Sequence, residues 1–189
     1  EKAALRRHKQ VVDEGREESE HTRIQYLLIR IGRALDLDVH VARNDRHRSC
    51  GSASFAMLTI PGLPLREWPR EVLETVSLID VIWLKPQSGE FVAAFEVEKS
   101  TSIYSGILRL EDLARSTPAR ECDLYIVAPD RREKEVMAQL RRPAFRDDLA
   151  DISLGYISFG DLCEHCDSLC KLGEDHRIVR KIARMNVSA

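Results

Sequence analysis

Two apolar runs dominate the hydrophobic pattern, residues 78–84 (LIDVIWL) and Phe91–Val97 (FVAAFEV), separated by a Lys-Pro-Gln-Ser-Gly-Glu segment. Runs of this length, bounded by turn residues, predict the two strands of a buried hairpin. Upstream, Ile24, Leu27, Leu28, Ile31 and Leu35 recur at helical spacing and predict a helix over 18–35. Glu20 extends that stripe by one turn, so it is expected to face the sheet. Residues 1–14 read as a weaker, basic helical segment loosened at Gly15. Residues 37–43 predict a short strand, followed by two loops, RNDRHRSCGSASF and IPGLPLREWPRE, and a brief helix at about 69–76. A helix is then expected to start in the hydroxyl-rich KSTS and to bury Ile103, Ile107, Leu110 and Ala114. Residues 122–128 predict a further strand, Asp130 and Glu133 a capping-box-like helix start, and 152–158 a last strand leading through Gly160 and Asp161 into a helix and a basic tail.

Composition narrows the class. With 43% hydrophobic and 32% charged residues the 189-residue chain reads as a single soluble globular domain. No apolar stretch approaches ~18 residues and no signal-peptide core is present, so no membrane partner and a cytoplasmic location are expected. Five cysteines, an odd number lying mostly in predicted regular elements, argue against a disulfide framework and for a reducing compartment. A net charge of −2 excludes nucleic-acid binding by bulk positive charge but not by local arginine patches. The chain does not start with Met, which suggests a domain excised from a larger protein or a processed product, with an absent neighbouring specificity domain expected outside it.

Chemistry enters where charge interrupts the apolar strands. Alternation places Asp80 on the face of Leu78 and Ile82, and Glu96 with Glu98 on one face of the next strand. Strands covered on both sides tolerate ionised carboxylates only when these are paired or coordinate a metal. Asp80, fifteen intervening residues, then Glu96-Val97-Glu98 resembles the PD-(D/E)xK nuclease superfamily. Glu98 stands where that motif usually has lysine, so the pattern resembles its ExE variant. Lys99 is one residue off and falls on the opposite strand face.

The resemblance implies an α/β fold with a restriction-endonuclease-like core, a central mixed β-sheet flanked by helices. It covers 18–128 of a single domain 1–189, with 1–17 an N-terminal helical extension and 129–189 C-terminal additions. It implies a Mg2+-dependent (or Mn2+-dependent) endonuclease acting on DNA in restriction or defence. Asp80 and Glu96 would ligate the metal, with the Val97 carbonyl as a backbone ligand. Glu98, in the lysine's place, would act as general base or bind a second ion, and Glu20 matches a first-helix glutamate that reaches the site. Double-strand cutting by one active site per subunit would make a homodimer natural.

Arg43, Asn44 and Arg46, with His47 and Arg48, form a loop suited to phosphates or base edges. Ser100 and Tyr104 lie at the start of the helix after Glu98, where backbone amides and the helix dipole suit a phosphate. Competing readings are the same fold with impaired chemistry, serving as a nucleic-acid-binding module, and an unrelated domain whose carboxylates form structural ion pairs. Cys163, Cys166 and Cys170, with His165 and His176, lack a second CxxC pair for zinc and share a stripe with Leu162 and Leu169 suited to core packing. Ser100, Ser102 and Ser105 lack a glycine-flanked nucleophile elbow.

Overall fold

The computed structural model describes residues 2–64, 68–98, 103–116, 122–142 and 154–185. In chain order its elements are α1 (Lys2–Ala34), β1 (Asp38–Val41), β2 (Ser49–Cys50), β3 (Ala53–Ser54), α2 (Phe55–Leu58), α3 (Arg70–Val76), β4 (Val81–Leu84), β5 (Phe91–Val97), α4 (Ile103–Ser116), β6 (Asp123–Ala128), α5 (Glu133–Leu140), β7 (Leu154–Ser158), α6 (Phe159–Leu172) and β8 (Arg184–Met185). Six strands form one mixed sheet in the order β1-β4-β5-β6-β7-β8. The β4–β5 hairpin lies within it, with Val81 opposite Phe95, and β6 and β7 run parallel to β5. The hairpin turn closes through the Lys85 amide on the Glu90 carbonyl (2.8 Å), with Gly89 at positive φ.

Helices cover both faces, which is why β5, β6 and β7 are buried along their whole length. On one face α1 and α6 pack Ile24, Leu28, Leu162 and Leu169 against Val81, Trp83, Phe95 and Tyr125. Trp83 Nε1 donates to the Leu28 carbonyl (3.2 Å), and a Cβ on Gly32 would lie 2.5 Å from that nitrogen, so helix and strand approach closely only because residue 32 is glycine. On the other face α3, α4 and α5 contribute Val76, Ile103, Ile107, Leu110, Val136 and Leu140 over Ile82, Ala94, Leu124 and Ile126. The expected α/β class, with a central mixed sheet flanked by helices, is the observed one.

The boundaries differ in ways that matter for the site. β4 begins at Val81 rather than at residue 78: the amides of Leu78 and Ile79 bond back to the Thr75 and Val76 carbonyls, so the chain is still turning out of α3. Ile79 consequently packs with Ile82 on the α4 side, and strand alternation does not govern Asp80. α1 runs unbroken through Gly15, and the first polar loop contains a 3-10 turn at Arg43–Asp45, the β2–β3 ribbon and α2. Asp130 does not cap α5; it sits in a 3-10 turn and accepts from the Gly160 amide (3.1 Å). The basic tail forms a 3-10 segment, His176–Lys181, and the edge strand β8. It is pinned by Arg180, whose Nε donates to the fully buried Asp123 (2.7 Å).

His40 on β1 is 3% exposed. Burial pushes its imidazole down to about 4, aided by Arg46 and opposed by the Ser77 backbone. Its unfolded value, near 6.5, is the higher one, so protons favour the unfolded chain. Its contribution is present above pH 6.5 and is lost as pH falls toward 4; full loss corresponds to about 3 kcal/mol. Urea melts across this window should show stability falling less steeply in His40→Leu than in the wild type; parallel slopes would refute the assignment.

Candidate active site

Asp80, Glu96 and Glu98 lie about the C-terminal end of β5, near enough for Asp80 and Glu98 both to act on the charge of Glu96, but the acid-containing group whose ligand atoms come together among the described residues joins Asp80 to His21 and Asp45 and not to the two glutamates. Asp80, just before β4, lies beside the C-terminal end of β5, and its Oδ2 accepts the Val97 amide (2.7 Å). Its other oxygen turns toward α1: Gln25 Nε2 donates to Asp80 Oδ1 (3.1 Å) and to Asp45 Oδ2 (2.7 Å), bridging two carboxylates with one amide. Asp45 also receives the Arg48 guanidinium, which reaches Glu18 and Thr22 on α1 as well. His21 Nε2 is 3.4 Å from Asp80 Oδ1. His21, Asp45 and Asp80 offer ligand atoms all within 4.8 Å of one another.

Glu96 and Glu98 share a face of β5, as alternation requires, and look toward α4. Glu96 is fully buried, and Arg109 on α4 holds it in a two-point fork, Nε to Oε1 (2.8 Å) and Nη2 to Oε2 (2.6 Å). Burial pushes the Glu96 carboxyl well above its ordinary range, with Arg109 pulling the other way; the bond to Glu96 raises Arg109 in turn. Glu98, 3% exposed, is anchored by its amide on the Val127 carbonyl (2.8 Å). A Cβ on Gly106 would come 2.6 Å from Glu98 Oε1 and 3.3 Å from the Glu96 Cβ, so the glycine makes room for both acids.

Glu20 is exposed, contrary to the expectation that it faces the sheet. The buried sector of α1 extends past Leu28 to Gln25 and Ile29, so its middle passes near His21 and leaves Glu20 at the margin. Arg43 and Asn44 are exposed, whereas Arg46 is half-buried and donates to the Ile60 carbonyl (2.6 Å). Tyr104 is exposed on α4. Ser100 and Lys99 lie outside the described residues, as do Thr101 and Ser102. The α6 cysteines pack in the core beside Leu162 and Leu169. A cleft of about 550 Å3 adjoins the site, lined by Arg43, Ser105 and Arg109 together with the acidic Glu71, Glu74 and Asp112.

Sequence reasoning missed His21, Gln25, Asp45 and Arg109. His21 and Gln25 are four apart on α1, a spacing that puts them side by side. Arg109 stands three residues after Gly106, the glycine under the acids. Such signals become specific only once the packing is known.

The donor set fits a hard divalent cation. Carboxylate oxygens are its preferred ligands, and two buried polar atoms next to Asp45 and Asp80 have no hydrogen-bond partner, Gln25 Oε1 and His21 Nε2. Such orphans are costly unless a ligand or water meets them.

Over residues 4–182 the chain matches the family described as the type II restriction enzyme NmeDI C-terminal domain. It is 31% identical over 134 residues to the type II restriction enzyme NmeDI of Neisseria meningitidis serogroup C, an alignment covering 67% of this chain and 38% of that protein. The chain therefore spans well under half of the curated relative it matches. No solved structure matches. No helix among the described residues is long and apolar enough to cross a membrane.

If the Gln25 amide is what holds Asp45 and Asp80 together, Gln25→Leu leaves both without their shared donor. Urea denaturation in EDTA should then show a loss of about 2–4 kcal/mol. A loss under about 0.5 kcal/mol would show that the bridge carries no weight.

Proposed function

We propose, for a chain that belongs to the family of the type II restriction enzyme NmeDI C-terminal domain, that it is a metal-dependent endonuclease domain acting on DNA in a restriction system, with an ExE variant of the PD-(D/E)xK site. The observation that carries the reading is the grouping of buried Asp80, Glu96 and Glu98 about the end of β5, where Asp80 accepts the amide of Val97 between the two glutamates and both Asp80 and Glu98 act on the charge of Glu96. Buried carboxylates of this density repel one another and lose hydration, and a divalent cation offsets both costs.

Asp80, Glu96 and the Val97 carbonyl would hold Mg2+ or Mn2+, with His21 and Asp45 on the α1 side of Asp80 as a further group of donors. A cation bound there supplies charge neutralisation for a phosphodiester and lowers the pKa of a bound water. Glu98 stands where the motif usually has lysine; a carboxylate there accepts a proton from the attacking water, which lysine in its charged form does not. Arg43, Asn44 and Tyr104, which are exposed, would contact the DNA backbone, and the sequence reading adds Ser100 to them. Base recognition, pairing of two copies for double-strand cutting and a separate specificity domain belong to the same proposal.

The nucleic-acid-binding module without chemistry is the second reading, favoured by the fork of Arg109 on Glu96, which gives that carboxylate a cation without any metal. Incubating supercoiled plasmid with the protein in Mg2+, Mn2+ or EDTA separates the two. The nuclease reading expects nicking that requires the metal and falls by at least about 100-fold in Asp80→Asn and Glu96→Gln. DNA binding with no nicking in any metal would support the module.

The role of Glu98 has its own test. Glu98→Gln keeps the shape but removes the base, so nicking should fall by about 100-fold or more in a variant whose circular dichroism shows it folded. Wild-type rates in that variant would exclude Glu98 from the chemistry.

A further inference from the structure

We infer that Arg109 is a cationic residue of this site that serves substrate: it holds Glu96 while no divalent ion is bound, and contacts a phosphate oxygen of the DNA once an ion takes Glu96. The inference rests on the nuclease reading and adds a residue to it. With Glu98 in the lysine's place, the motif position itself does not supply a side-chain cation to meet the charge growing on the phosphate. The structure brings one in from α4. Arg109 grips both oxygens of Glu96, yet its side chain is 28% exposed and lines the cleft, where Arg43 and Ser105 share the wall with Glu71, Glu74 and Asp112. The guanidinium thus stands between a buried carboxylate and an open cleft, and with Arg43 it is where a phosphate would meet positive charge on that wall.

Donor arithmetic allows both roles. Guanidinium has five N–H donors, and the fork uses two of them. A divalent ion on Glu96 repels the guanidinium across a shared carboxylate and weakens the fork. Planar, two-point geometry suits phosphate as well as carboxylate, so the released group keeps a partner of the same shape. Ser105 lies four residues before Arg109 on α4 and lines the same cleft.

A purely structural pair would fasten α4 to β5 and nothing more. The two accounts differ in the sign of one effect. If Arg109 competes with the ion, removing its charge strengthens ion binding while weakening cleavage; if the pair is only a fastener, removing it loosens the site and weakens both.

The experiment compares the full chain with Arg109→Met and Arg109→Lys, using Mn2+ titration by electron paramagnetic resonance without DNA, thermal melts with and without Mn2+, and plasmid nicking. Arg109→Met should bind Mn2+ about tenfold more tightly, a change of about 1.4 kcal/mol, and gain more thermal stability from Mn2+ than the wild type does. Its nicking should fall by about 100-fold or more. Arg109→Lys, which keeps the charge and protects against a folding defect, should bind Mn2+ like the wild type and recover part of the nicking. Unchanged or weaker Mn2+ binding in Arg109→Met overturns the inference, as does undiminished nicking. A wild-type protein that binds no Mn2+ and nicks nothing overturns the nuclease reading, and the inference falls with it.

Discussion

Negative charge buried at one end of an apolar sheet has to be met by a donor or a cation, and much of the architecture around the site answers that requirement. Asp80 takes the Val97 amide, which fastens the entry of β4 to the exit of β5. Gln25 joins it to Asp45, which ties α1 to the turn after β1. Arg109 draws α4 onto β5 through Glu96. At the other end of the neighbouring strand, Asp123 does the same for the C-terminal segment through Arg180. The first three pairings gather about the entry of β4 and the exit of β5, where Arg109 also lines a cleft, whereas Asp123 lies at the start of β6. Position, more than the presence of an ion pair, separates the candidate site from the fastener.

The hairpin was legible because β4 and β5 are covered on both faces and therefore read as unbroken apolar runs. The helices with strong stripes, α4 and α6, were legible for the same reason, since their apolar positions repeat at the spacing of the face they bury. Glu96 and Glu98 fell on one face because the strand is regular there. Asp80 did not obey alternation, because backbone bonds from α3 keep the chain turning up to Ile79 and a hydrophobic run cannot reveal that.

Glu20 was misplaced for a related reason. The apolar stripe of α1 marks only part of its buried sector; the rest is lined by Gln25 and His21, polar residues whose burial depends on Asp45 and Asp80 arriving from elsewhere. Partnerships between residues 20 to 55 positions apart leave no periodic trace. Arg109 escaped notice similarly, as an off-face charge on an amphipathic helix, which is most often a solvated one.

A cation held at the end of β5 underlies the proposed chemistry, and anomalous diffraction from a crystal soaked in Mn2+ would locate it. The expected peak lies at ligand distance from Asp80, with Glu96 among its neighbours and the Arg109 fork opened. An intact fork with no peak near Asp80 would contradict the proposed chemistry.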